Sequence, residues 1–432
     1  MKRALVFSGG GARGAYELGV WKALDSMKIK VDIVTGASIG ALNGALYITD
    51  SYALAEKLWL HLTPNQVIKT DETDPKVVYA KFVKETITGG ADTSPLEALL
   101  TKAVDEKKAR ESKIIFGIST CEFPSLKPLQ LTLDQIPNGK LIDYLMASAA
   151  AYPTLKPKEI DDKKYIDGGY HDNLPINYAI QLGADEVVAV NLQAVGIYRK
   201  TKNKNVIVDT IIPSRDLGSF LMFDKDLVKR NSQIGFQDTY KFYGEYEGFI
   251  YTFAKGEITE HGAELAFELR QLTTKIFQSK QNRFISFAQL YSSKRLFKDV
   301  ENTHRVVYDH STINLMRGLD VAGNVFEMDD LKIYSLASFK KELLSRVTKT
   351  MTKYPEFQKD IRSISSKVHD VSNVSNQVLT CNILQSLIAY LDKSKAGFEV
   401  YTLFMLYPEN ALAALTIYAI ILNEKIVIPE IK

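Results

Sequence analysis

The chain of 432 residues has little cysteine, almost no net charge and no long apolar run. Its two cysteines, Cys121 and Cys381, stand far apart with no C-x-x-C spacing. Neither a disulfide framework nor a cysteine zinc site is indicated, and a reducing compartment is the simplest setting. Fifty-four Lys and Arg face 51 Asp and Glu, leaving +3. A strongly basic face, as nucleic-acid binding usually needs, is not expected. No stretch reaches the roughly 18 apolar residues of a membrane-spanning helix. The nearest candidate, Ala411 to Leu422, contains Thr416 and Tyr418 and reads as a buried core helix. The N-terminus, Met1-Lys2-Arg3 and then Ala4 to Ser8, is too short an apolar stretch for a signal peptide. The expectation is a cytoplasmic protein with at most peripheral membrane contact. Internal repeats and low-complexity segments are absent too.

What is present is an ordinary globular composition, 46% hydrophobic and 24% charged. At roughly 100 to 200 residues per domain the length suggests two domains. Through residue 200, short β-rich runs alternate with helical stretches, the pattern of a parallel sheet covered by helices. The expected strands are Ala4 to Ser8, Val31 to Thr35, Ile114 to Thr120 and Glu186 to Asn191. Helices are expected at about Ala15 to Met27, at Gly40 to Tyr47 and after Leu174-Pro175, with Gly183 as a stop. Beyond residue 246 the spacing becomes helical, as in Leu265, Leu269, Leu272 and Ile276 and in Phe339, Leu343 and Val347. The division expected is an α/β domain over residues 1–245 and a mainly helical region over 246–432.

The first strand leads into Gly9-Gly10-Gly11-Ala12-Arg13-Gly14, which places several backbone N–H groups at a helix N-terminus. Two functional readings compete with a plain glycine turn. Gly9, Gly11 and Gly14 match the G-x-G-x-x-G of a dinucleotide-binding oxidoreductase, or the loop is an oxyanion hole. A ribose-binding acid belongs at the carboxyl end of the second strand, whereas Asp32 falls near its start. What stands at that end is Gly36-Ala37-Ser38-Ile39-Gly40, a G-x-S-x-G between strand and helix, the setting of a nucleophile elbow. Both turns follow consecutive strands, so the amides and the Ser38 hydroxyl can face one crevice.

A serine hydroxyl needs a base. Among the six histidines His171 is a candidate, with Asp167 four positions before it. Asp167 itself, in Ile166-Asp167-Gly168-Gly169, is the more economical choice if exclusion of water raises its basicity. No cluster has calcium or zinc spacing, and no cofactor is expected.

Taken together, these three elements resemble the patatin-like phospholipases, serine acyl hydrolases with a Ser-Asp dyad. The resemblance implies a three-layer α/β/α fold with a mainly parallel sheet. It implies that Ser38 is the nucleophile, that Asp167 is the base, and that Gly10 and Gly11 donate to the oxyanion while Arg13 orders that loop. Gly9, Gly14, Gly36, Gly40, Gly168 and Gly169 complete the motifs. The resemblance covers residues 1 to about 195, with Ala147 to Pro153 and Leu174-Pro175 in familiar places, and extends to 245 through Arg230 to Gly235. It implies a phospholipase A or lysophospholipase activity on membrane phospholipid or lysophospholipid. A non-catalytic lipid-binding protein is the second alternative beside the oxidoreductase. The basic run Arg199-Lys200-Thr201-Lys202-Asn203-Lys204 is either a solvated loop or a docking point for an anionic membrane.

Overall fold

A computed structural model describes residues 1–72, 75–277, 305–354, 375–393, 403–404 and 406–426. The chain divides into two compact units, Met1–Tyr240 and Lys241–Lys432.

The first unit is built on an eight-stranded sheet whose order runs β5-β6-β3-β2-β1-β7-β8, with β4 also paired to β3. The strands are β1 (Arg3–Phe7), β2 (Ile33–Ala37), β3 (Ile115–Phe123), β4 (Pro128–Thr132), β5 (Lys158–Ile160), β6 (Lys163–Asp167), β7 (Glu186–Val190) and β8 (Ile207–Ile211). β1, β2, β3, β7 and β8 run parallel, while β4 and β6 pair antiparallel with β3. The helices include α1 (Ala15–Ser26), α2 (Ile39–Ile48), α3 (Tyr52–His61), α4 (Leu141–Ser148), α5 (Ile176–Gln181) and α6 (Lys225–Phe242), with further helical segments between Pro64 and Glu111.

β1, β2 and β7 are mostly apolar and, apart from partly exposed Arg3, buried along their whole length, as central strands covered on both faces are. Alternation then assigns the faces. Ala4, Val6, Ile33, Val187 and Ala189 pack with Ile176 and Ala179 of α5. Phe7, on the opposite face, meets Tyr47 of α2 at 6.2 Å between ring centroids. This is the three-layer α/β/α arrangement with a mainly parallel sheet. Pro175 caps α5 rather than opening its first turn, and Gly183 follows with φ 98°.

The antiparallel strands, which composition and periodicity did not single out, position the site. β2 occupies one edge of β3 from Ile115 to Ser119, and β4 occupies the other from Gly117 to Cys121. β6 pairs with Thr120 to Phe123, so it shares β2's edge and runs toward it head-on. Ala37 therefore lies opposite Ser119 and Asp167 opposite Thr120. The carboxyl ends of β2 and β6 meet.

The second unit carries α7 (Ala263–Phe277), α8 (His310–Val325), α9 (Leu336–Lys353), α10 (Asn376–Lys393) and α11 (Pro408–Asn423). Leu265, Leu269, Leu272 and Ile276 on α7 and Phe339, Leu343 and Val347 on α9 all lie in one apolar core. Ala411 to Ile421 of α11 is almost wholly buried in that core. A small sheet of β9 (Tyr246–Glu247), β10 (Thr252–Ala254) and β11 (Ile333–Tyr334) was not foreseen, since strands of two or three residues leave no alternation to read. No helix among the described residues is long and apolar enough to cross a membrane.

Candidate active site

Ser38 sits at the turn from β2 into α2 with φ 54° and ψ −130°. A non-glycine residue in this region carries strain of order 1–3 kcal/mol, which the surroundings must hold in place. They do so partly through the flanking glycines. A Cβ on Gly36 would lie 2.4 Å from the Gly40 carbonyl oxygen, and one on Gly40 would lie 2.6 Å from that of Phe7. The elbow can therefore press against both α2 and β1 only with glycine at these positions.

The end of α4 and the residues just after it anchor both halves of the site. The Ser148 hydroxyl, fully buried, accepts the Ser38 backbone N–H at 3.0 Å and donates to the Ser119 carbonyl at 2.7 Å. Two residues on, the Ala150 carbonyl accepts the Asp167 backbone N–H at 3.0 Å. Asp167 is buried, and its carboxylate accepts the Gly169 N–H at 2.7 Å. Burial pushes its carboxyl up to about 6, against the opposing pull of the neighbouring Ser38 side chain and the Gly169 N–H. Such a carboxylate is basic enough to take a proton near neutral pH.

The glycine loop lies against the same spot, since a Cβ on Gly9 would be 3.1 Å from the Ser38 Cβ. Gly9 donates to the Asn173 carbonyl at 3.0 Å, Ala12 to Phe220 at 2.7 Å and Arg13 to Gly10 at 3.2 Å. Among the described residues the N–H groups of Gly10 and Gly11 have no partner within the chain. The Arg13 guanidinium turns away from the crevice and ties the loop down, Nε to the Gly218 carbonyl at 2.8 Å and Nη1 to that of Gln193 at 3.1 Å. Gly168 packs on the Ser119 backbone, and Gly14 packs under Ile39 and Trp59.

Beneath the loop lies a polar network that the sequence did not disclose. Asn43 of α2 donates to the Gly14 carbonyl at 3.1 Å and to Glu17 Oε2 at 2.8 Å, and it accepts from the Trp59 indole at 3.0 Å. Glu17 is fully buried, burial holds its carboxyl well above the usual range, and its Oε1 has no partner. The network joins the glycine loop to the helix behind Ser38. The only available hint was an acid within the otherwise apolar face of α1.

Other candidates fall outside this arrangement. The His171 ring accepts at Nδ1 from Arg199 Nη2 at 3.1 Å, and burial followed by the Arg199 charge lowers its basicity. Arg199 also donates to the His171 carbonyl at 2.8 Å, so it is engaged with the Asp167 turn, while Lys200, Lys202 and Lys204 are exposed. Asp32 is exposed at the amino end of β2 and accepts the Arg3 N–H at 2.9 Å, at the opposite end of the sheet from the glycine loop. It cannot hold a ribose there. Burial and the nearby Asp167 charge raise the Cys121 thiol to about 11. Among the described residues no group of three or more His, Cys, Asp or Glu is arranged to hold a metal.

A strained serine at a strand-to-helix elbow, a buried carboxylate near it and two amides without a partner among the described residues make up the candidate site of this α/β domain. Residues 5–180 match the family model for patatin-like phospholipase. Over 196 residues it is 30% identical to lysophospholipase nte1 of Aspergillus terreus, a match covering 44% of this chain and 12% of that protein. Over 193 residues it is 30% identical to mouse patatin-like phospholipase domain-containing protein 6, covering 44% of this chain and 13% of that protein. The match thus spans about an eighth of these relatives' length. The crystal structure of VipD from Legionella pneumophila matches at 13% identity over 97% of this chain and 90% of that one, with a TM-score of 0.31, too loose to carry an argument.

Proposed function

We propose that the chain is a serine-dependent lipid acyl hydrolase in which Ser38 and Asp167 act as a dyad. Asp167 takes the Ser38 proton as the hydroxyl oxygen attacks the acyl carbonyl, and the oxyanion is held by the Gly10 and Gly11 amides. The intermediate collapses to an acyl-enzyme as Asp167 returns the proton to the departing alcohol. Water, deprotonated by Asp167, then releases the fatty acid and regenerates Ser38. The observation that carries this reading is the buried Asp167 carboxyl, pushed up to about 6 by burial and neighboured by the side chain of a serine at positive φ. Losing one oxyanion donor typically costs about 2.7–4 kcal/mol of barrier.

The substrate class, phospholipid or lysophospholipid, is supported by the matched family and by the names of the relatives, and its presentation at a membrane surface reached from the cytoplasm is part of the proposal. The dinucleotide reading has nothing comparable, because Asp32 lies at the wrong end of the sheet. Ser38→Ala decides the matter. The variant should fold with an unchanged far-UV spectrum and release no fatty acid from lysophosphatidylcholine, whereas wild-type turnover by the variant refutes the dyad.

A further inference from the structure

Two loops at the carboxyl edge of the sheet hold large apolar side chains in water. Val195 is 99% exposed, Ile197 48%, Phe220 44% and Met222 55%. Both loops are bonded directly to the catalytic turns. Ile197 donates its N–H to the Gly169 carbonyl at 3.0 Å and accepts the Asn173 N–H at 2.7 Å. The Phe220 carbonyl accepts the Ala12 N–H at 2.7 Å. Arg13 holds the two together, with Nη1 on Gln193 and Nε on Gly218. The apolar side chains therefore rim the crevice that contains Ser38. Immediately after the first loop come Lys200, Lys202 and Lys204, all exposed.

We propose that these loops are the membrane-docking surface: Val195, Ile197, Phe220 and Met222 enter the apolar layer of an anionic lipid surface while the three lysines meet its headgroups. The proposal rests on the lipid hydrolase reading and gives it an orientation, with the crevice mouth facing the substrate. The lysines and the continuity of the rim with the catalytic turns select a lipid surface as the occupant. Apolar side chains flanked by basic ones bind such surfaces by burial together with electrostatic attraction. Each lysine near an anionic surface contributes about 1 kcal/mol, or about fivefold in affinity.

The experiment uses the full chain and the variant Val195→Asp/Met222→Asp, changed at two exposed positions outside the catalytic machinery. Flotation with phosphatidylcholine vesicles, with and without phosphatidylserine, reads docking. Hydrolysis of a soluble short-chain ester reads the chemistry, and light scattering reads self-association. The variant should bind anionic vesicles roughly 100-fold more weakly, with matching loss of vesicle hydrolysis and an unchanged rate on the soluble ester. Lys200→Ala/Lys202→Ala/Lys204→Ala should lose only the preference for phosphatidylserine. Equal vesicle binding by wild type and the aspartate variant overturns the proposal, as does a wild type that self-associates through this rim instead of binding vesicles. Vesicle binding that the aspartates abolish, in a wild type inert toward every ester, would uphold the surface and refute the hydrolase.

Discussion

Replacing Asp167 by Asn should make the protein more stable at neutral pH while removing its activity. Asp167 is buried, and burial raises its carboxyl to about 6, against about 3.9 in an unfolded chain. A folded-state value above the unfolded one means that the ionised form is disfavoured by folding. At about 1.36 kcal/mol per decade, the gap corresponds to on the order of 3 kcal/mol lost once pH exceeds the folded value. Asn keeps an oxygen for the Gly169 N–H and never ionises. Below about pH 4 both proteins are neutral at this position and should unfold alike. From there the advantage of Asp167→Asn should grow through about pH 6 and level off at on the order of 3 kcal/mol. Asp172, also pushed up to about 6 by burial, is common to both proteins and cancels in the difference. Urea unfolding at a series of pH values measures this directly. A variant destabilised equally at every pH would refute a burial-raised carboxylate at position 167.

The same carboxylate sets the acid limb of the rate profile: kcat/KM on a soluble ester should fall tenfold per pH unit below about 6, where Asp167 is protonated, and a flat profile down to pH 4.5 speaks against its role as base. Ser148→Ala strands the Ser38 N–H and the Ser119 carbonyl in the interior. It should cost about 1–3 kcal/mol of stability and lower kcat by roughly 10- to 100-fold with KM little changed, whereas unchanged kcat and unfolding midpoint would mean that the elbow stands without it.

The parts of the site that sequence disclosed are those built locally. Gly36 to Gly40 and the glycine loop each lie within one strand-to-helix turn, and their small residues answer to backbone contacts that any such turn would make. Asp167 was legible through its glycines and their place in a familiar order. How the fold would bring it near Ser38 was not, because that depends on β6 meeting β2 on one edge of β3, a matter of tertiary register. Ser148 and Asn43 lay inside segments that read as plain helix or apolar connection, and nothing local marks a hydroxyl or amide that will meet a distant backbone. Arg13 was expected to order the glycine loop, and its partners at Gln193 and Gly218 became visible only with the loops in place.

The most direct test of the central claim is covalent labelling with a fluorophosphonate, read by peptide mass. The wild type should carry the adduct on Ser38, Asp167→Asn should label far more slowly, and Ser38→Ala should not label. A folded wild type that stays unmodified, or that carries the adduct on another residue, would contradict the assignment of Ser38 as an activated nucleophile.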